Sequence, residues 1–182
     1  MNNRVRISAG MWRNRWLQFN AQPSLRPTPD RVRQTLFNWL GQDLSGWECL
    51  DLFAGTGALC LEALSRGAST VTLVERTPDA HRALVQNCQK LNAHAAILVH
   101  GDALTFLADN THLFDLILID PPYGQGWLVR LLPILPGHLK PFGMVYAEAE
   151  HVLASNETWQ VTKQGRAGRV FYHLLECRHG NL

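Results

Sequence analysis

The sequence predicts an α/β fold: a mostly parallel, seven-stranded sheet with helices on both faces, a C-terminal antiparallel hairpin and a small N-terminal β-hairpin extension. From residue 48, apolar runs of strand length alternate with segments of helical period. That is the rhythm of β-α-β units, whose right-handed crossovers cover both faces of a parallel sheet. Near the end, two β-prone runs flank Gly165-Arg166-Ala167-Gly168, the pattern of a hairpin rather than a crossover. With 182 residues, 46% hydrophobic and 18% charged, the chain has enough apolar material for one core and one domain.

In chain order, Val5 and Ile7, then Leu17 and Phe19, alternate with polar neighbours around Gly10 and give the N-terminal hairpin. After a polar, Pro-rich link, Thr28 offers a capping hydroxyl, Pro29 suits the first helical position and Asp30 complements the helix dipole. Val32, Leu36, Trp39 and Leu40 then share one helical face that ends at Gly41. Parallel strands are expected at 48–53, 70–75, 95–100, 114–120 and 143–148, with helices near 58–66, 78–92, 102–109 and 126–138. Thr77-Pro78 repeats the cap-plus-proline start, and 159–163 with 169–176 form the closing hairpin. Residues 1–28 thus read as a basic hairpin and link, and 29–182 as the main domain.

Composition narrows the function classes. No apolar run approaches the length of a membrane span and no secretory h-region is evident, so a cytoplasmic protein without a membrane partner is expected. The four cysteines stand far apart, and the eight histidines fall in no zinc-ligand spacing, so no metal is expected. The net charge of +2 hides an asymmetry: residues 1–33 hold seven arginines against the single acid Asp30, for a local +6, leaving −4 on the rest. Trp12, Trp16 and Phe19 lie among those arginines. Guanidinium groups beside flat rings suit phosphate contact and base stacking, which points to nucleic acid.

Two motifs carry the chemistry. Asp51-Leu52-Phe53-Ala54-Gly55-Thr56-Gly57 leaves the first parallel strand and opens the next helix, where a doubly wound sheet places its ligand crevice. Gly55 and Gly57 permit close backbone approach, and Glu75, at the end of the next strand, can accept from both hydroxyls of a ribose. Position 60 is Cys where a dinucleotide fingerprint wants glycine, and no P-loop lysine follows Gly57, so NAD and nucleoside triphosphates fit poorly. Asp51 would repel a pyrophosphate but could hold an ammonium group, which favours S-adenosylmethionine. Asp102 could accept from an adenine amine or cap the helix that follows it. The second motif, Asp120-Pro121-Pro122-Tyr123, forces the chain out of the sheet in a rigid extended turn. It presents the Asp120 carboxylate, the Pro121 carbonyl and the Tyr123 ring, which are two acceptors and a stacking face for a planar amine on a heteroaromatic ring.

These motifs resemble the cofactor loop and the Asp/Asn-Pro-Pro-Tyr/Phe motif of amino-group methyltransferases. With Arg26-Pro27-Thr28, Arg31-Val32-Arg33, Leu36-Phe37-Asn38 and Glu62-Ala63-Leu64-Ser65-Arg66-Gly67-Ala68, the chain is similar from about residue 7 to 176 to the RsmD-type guanine-N2 methyltransferases of bacterial small-subunit ribosomal RNA. The resemblance implies a Rossmann-like class I methyltransferase fold and S-adenosylmethionine as cofactor. It also implies 16S rRNA in the small ribosomal subunit as partner, with guanine 966 as the family's target. It implies cofactor contacts from Asp51, Phe53, Gly55, Gly57, Glu75, Asp102 and Asp120, and catalysis by Asp120, Pro121 and Tyr123. RNA contacts are expected from Arg4, Arg6, Arg13, Arg15, Arg26, Thr28, Arg31 and Arg33, with Glu148 supporting the site and the protein acting as a monomer. The chain departs from the family at Cys60 and Asn14, where the family often has glycine. Adenine N6, a glutamine amide, or a non-catalytic RNA-binding assembly role are the alternatives that the same motifs leave open.

Overall fold

In a computed structural model, residues 4–19 and 28–178 are described. Arg26 and most of the Pro-rich link lie outside them. Strands β1 (Arg4–Arg6) and β2 (Trp16–Gln18) pair as a small antiparallel hairpin, followed by helix α1 (Asp30–Leu40). The core is built from β3 (Glu48–Asp51), α2 (Ala58–Ser65), β4 (Thr70–Glu75), α3 (Pro78–Leu91), β5 (Ala96–His100), α4 (Ala103–Asp109) and β6 (Phe114–Ile119). Then come α5 (Trp127–Leu131), a 3₁₀ turn (Leu135–His138), β7 (Leu139–Ala149), β8 (Trp159–Ala167) and β9 (Val170–Cys177). The seven-stranded sheet has the order β5-β4-β3-β6-β7-β9-β8, parallel except at β9, which runs antiparallel to both its neighbours. This is the Rossmann-like architecture of class I methyltransferases.

Alternation along the strands builds the two layers. Cys49, Val71, Leu73, Leu116, Leu118, Tyr146 and Leu174 face α1, α2 and α3, whereas Leu50, Val74, Ile117, Ile119, Val145 and Leu175 face α4 and α5. Both faces are buried, as a parallel sheet requires. β3 is flanked by β4 on one side and β6 on the other, so the chain winds outward in opposite directions from their shared carboxyl end. That reversal opens a crevice between the loops, the topological switch point.

Three sequence expectations change. The helix expected over 126–138 breaks after Leu131 into a 3₁₀ turn, because Pro133 and Pro136 remove backbone donors and clash with the preceding turn. The residue capping α1 is Pro29, not Thr28, and no side chain caps that end. β7 begins at Leu139 rather than near 143, with a shift in its register against β6 between Phe114 and Leu116.

The N-terminal hairpin is locked to the body. Val5, Ile7, Leu17 and Phe19 join the core over α2 and α3. Beneath the hairpin, the buried Glu62 carboxylate accepts from Ser8 N (2.8 Å), Ser8 Oγ (2.6 Å), Ala9 N (3.0 Å) and Arg66 Nε (3.0 Å), with Arg33 Nη1 at 3.8 Å. Ser65 adds bonds to Trp12 N and Ala9 O, and Asn87 exchanges two with the Gln18 backbone. Gly10 makes the approach possible: a Cβ there would stand 1.7 Å from the Ser65 carbonyl oxygen. Asn14 adopts φ 68° in the turn, a left-handed conformation that asparagine tolerates better than most residues. Glu62→Ala should therefore cost about 3–5 kcal/mol in chemical denaturation, because it leaves the Ser8 and Ala9 amides and Arg66 Nε without their buried acceptor and removes the counter-charge beside Arg33.

Candidate active site

The crevice floor begins at Asp51, the last residue of β3. Its Oδ1 accepts from Phe53 N (3.1 Å), which turns the chain back over the strand end. Gly55 (φ 51°) and Gly57 (φ 75°) continue the loop into α2, and a Cβ on Gly57 would lie 2.6 Å from Leu84. Cys60 is buried inside α2. Glu75 ties the loop to β4: Oε2 accepts from Gly55 N (2.9 Å) and Oε1 from Thr77 N (2.6 Å). Each oxygen keeps a further lone pair for an incoming hydroxyl. Asp102 caps α4 through Oδ1, which accepts from Leu104 N (2.9 Å) and Thr105 N (3.4 Å), while Oδ2 lies 3.9 Å from the exposed Arg76. Phe53 packs edge-on against Trp127, at 5.0 Å between ring centroids.

Across the crevice, β6 ends at Ile119 and the chain leaves the sheet at Asp120. Asp120, Pro121, Pro122 and Tyr123 line the same cleft of about 1110 Å³ as Asp51, Gly55, Glu75 and Asp102. Tyr123 is 45% exposed and free to meet a planar partner. Glu148, buried near the end of the adjacent β7, accepts from the Tyr146 hydroxyl at 2.9 Å. Thr28, buried, lines this cleft instead of capping α1, and its side chain favours the ionised forms of Asp120 and Glu148.

Electrostatically the floor is unusual. Desolvation, with Glu75 and Glu148 nearby, raises Asp51 from 3.8 to about 7 despite the Phe53 amide. Burial likewise pushes Asp120 well above the carboxylate range, reinforced by Glu148 and Asp51, and raises Glu148. Among the described residues no ion pair neutralises Asp51, Asp120 or Glu148. Buried carboxylates without a counter-charge suit a ligand that brings cationic and hydroxyl donors.

The basic residues separate into two groups. Arg4, Arg6, Arg13, Arg15 and Arg31 are exposed; Arg4 and Arg6 stand 4.4 and 6.0 Å from the centroid of the exposed Trp16 ring, and Arg15 bonds the Lys90 carbonyl. Arg33, expected to touch phosphates, is instead 1% exposed. Its guanidinium is spent on Asp30 (2.7 Å) and the Arg6 carbonyl (2.8 Å), so it is a tie between α1 and the hairpin. Phe19 is buried and Trp12 packs against the core, leaving Trp16 as the exposed ring of the three.

Two cleft residues escape sequence reasoning: Arg166 and Arg169, at the tip of the β8–β9 hairpin. The signal is topological. β9 runs antiparallel to β7 with Phe171 opposite Ala149, so the tip lands at the carboxyl edge of the parallel strands, beside Glu148 and Glu150.

Comparison with known proteins agrees with this geometry. Residues 5–176 match the family described as conserved hypothetical protein 95. The chain is 38% identical over 180 residues to ribosomal RNA small subunit methyltransferase D of Escherichia coli K12, covering 96% of this chain and 91% of that one. It is equally similar to the protein of that name in Haemophilus influenzae, over 94% and 93%. A solved Escherichia coli structure, provisionally named a methyltransferase, superposes with a TM-score of 0.87 at 35% identity, covering 96% of this chain and 98% of that one.

The raised Asp51 fixes a pH dependence. Between 3.8 and about 7 the folded state holds a proton that the unfolded state has released, so this group's contribution to stability falls as pH rises through that window. Asp51→Asn should therefore stabilise the ligand-free protein at pH 8, by up to about 4 kcal/mol, and leave it little changed at pH 4. Urea denaturation of both proteins at the two pH values measures the difference.

Proposed function

Because the chain belongs to the family described as conserved hypothetical protein 95, we propose that it is an S-adenosylmethionine-dependent methyltransferase acting on the exocyclic N2 of a guanine in small-subunit 16S rRNA. The target on this reading is guanine 966, and the protein works in the cytoplasm as a monomer. One observation carries the reading: the rigid Asp120-Pro121-Pro122-Tyr123 turn shares a single cleft with the Asp51–Gly57 loop and Glu75, so an amine acceptor site adjoins a nucleoside site. The names of the similar proteins support ribosomal RNA as the substrate class.

The buried carboxylates fit this cofactor. Asp51 would take its ammonium, directly or through water, Glu75 the ribose hydroxyls and Asp102 Oδ2 the adenine amine, with Phe53 as an apolar wall. When bound, it supplies an electrophilic methyl group on a sulfonium and leaves as a neutral thioether. The protein prepares the nucleophile. Guanine N2 is weakly nucleophilic because its lone pair is delocalised into the ring. The Asp120 carboxylate and Pro121 carbonyl, by accepting its two hydrogens, favour a pyramidal nitrogen with the pair directed at the methyl carbon. The nitrogen gains positive charge as the bond forms; the Asp120 carboxylate, which a neighbouring sulfonium would hold ionised against the effect of burial, opposes that charge at close range. Raised proton affinity also suits Asp120 to take the surplus proton afterwards. Tyr123 stacks on the base once it has left its own stack.

Asp120→Ala should lower methyl transfer on the order of 10³-fold, with cofactor affinity by calorimetry nearly unchanged. With labelled cofactor, free 16S rRNA and small subunits lacking the modification, nucleoside analysis should return N2-methylguanosine. Label in N6-methyladenosine or in protein would reject the guanine assignment. Neutralising Arg4, Arg6, Arg13 and Arg15 together should raise the KM for RNA and flatten its salt dependence with cofactor binding intact; an unchanged salt slope would remove the arm from the RNA interface.

A further inference from the structure

The cleft has a second basic element besides the N-terminal arm. β8 and β9 are joined by the two-residue loop Gly168-Arg169, closed by the Ala167–Val170 pair, with Gly168 at φ 62° as such a tight turn demands. The hairpin is braced. Gly165 lets the Tyr172 ring lie against its backbone, where a Cβ would stand 2.4 Å from the ring, and Tyr172 in turn packs on Trp39 of α1 at 5.3 Å. On this support Arg166 lies 5.0 Å from the Phe171 ring centroid and donates Nε to the Gly168 carbonyl at 2.9 Å. Its terminal nitrogens, and the whole guanidinium of Arg169, have no protein acceptor among the described residues, and both side chains are exposed.

We propose that Arg166 and Arg169 form a phosphate clamp that holds the RNA backbone flanking the target base at the mouth of the cleft. This rests on the reading of the protein as an RNA base methyltransferase and names where the polymer is gripped. Three features favour a phosphodiester. The cleft, at about 1110 Å³, exceeds the roughly 300–1,000 Å³ of an ordinary small-molecule site, so it admits a second group beside a cofactor. Its floor is acidic and repels phosphate, so a nucleotide entering base-first must leave its phosphates outside, at the level of the hairpin tip. A planar guanidinium already stacked on an aromatic ring is pre-organised to bind phosphate through two parallel N–H bonds. Tyr123, exposed on the same cleft, supplies a ring for the base while the arginines hold the chain.

The test replaces Arg166 and Arg169 together by alanine, leaving the N-terminal arginines in place. It measures binding of a fluorescent small-subunit rRNA fragment across a salt series, KM and kcat with small subunits, and cofactor affinity by calorimetry. We expect RNA affinity to fall about tenfold or more, KM to rise with kcat little changed, and cofactor affinity and melting temperature to hold. The slope of log K against log salt should lessen by about 1.4–1.8, two contacts at 0.7–0.9 each. Arg166→Lys with Arg169→Lys should restore most of the slope but less of the affinity, because a point charge keeps the phosphate contact without the bidentate geometry. With a wild type that methylates rRNA, an unchanged RNA affinity and slope in the double alanine variant would overturn the clamp alone, as would weakened cofactor binding with RNA affinity intact. A wild type that neither binds nor methylates rRNA would overturn the clamp together with the reading beneath it.

Discussion

The mutual burial of Asp51, Asp120 and Glu148 is the constraint around which this structure is arranged. Each carboxylate is carried at or just beyond the end of a neighbouring strand, β3, β6 and β7, so sheet register brings the like charges together at the switch point. Side-chain and backbone donors meet them only in part: one amide at Asp51 and the Tyr146 hydroxyl at Glu148, with the Thr28 side chain easing the burial of Asp120 and Glu148. Desolvation outweighs these bonds, as the raised proton affinities show. A fold that selected for stability alone would put apolar residues here. The cost is tolerable because the surrounding strands are buried on both faces and because a cationic ligand, such as the proposed cofactor, would offset it on binding.

Glu62 shows what a satisfied buried carboxylate looks like in the same molecule. It sits at 0% exposure but accepts from two backbone amides, a hydroxyl and a guanidinium. The contrast separates a structural charge from a functional one by donor count rather than by burial. It also explains why the basic hairpin holds a fixed attitude: two layers of contact, apolar on one side and ionic beneath, seat it on α2 and α3. Arg33 belongs to that ionic layer, which is why a residue that reads as one more RNA-binding arginine turns inward.

The sheet and its carboxyl-edge motifs were legible because each rests on local chemistry. Apolar runs of period two, Gly55 and Gly57 after a strand, and consecutive prolines after Ile119 act within a few residues of one another. What was not legible depends on tertiary partners. Thr28 has the right sequence position for an N-cap, but the helix starts one residue later and Thr28 lies buried on the cleft beside Asp120 and Glu148. Phe19 and Trp12 read as stacking rings because composition cannot say which side of a short hairpin faces α2 and α3. Pro133 and Pro136 were visible, but a helical apolar pattern ran across them. Arg166 and Arg169 carry no motif at all; only the antiparallel insertion of β9 against β7 brings their hairpin to the cleft.

The charge distribution of the cleft sorts a nucleotide by its parts. Carboxylates on the floor oppose phosphate and welcome amines, hydroxyls and a sulfonium, so a nucleotide can reach Asp120 only by a face that carries hydrogen donors and no negative charge. Free guanidinium groups stand at the hairpin tip and along the arm, where anionic backbone can be held in water. On the proposed function, a polymer would be drawn to the surface by one sign of charge and admitted only by its base through the other. Guanine, adenine and an amide side chain all pass the floor's criterion of a planar amine; only a base attached to phosphates satisfies both at once. On the proposed function, selectivity for nucleic acid over protein would follow from the separation of the two charge fields, and the choice among bases would fall to the shape presented by Pro121, Pro122 and Tyr123.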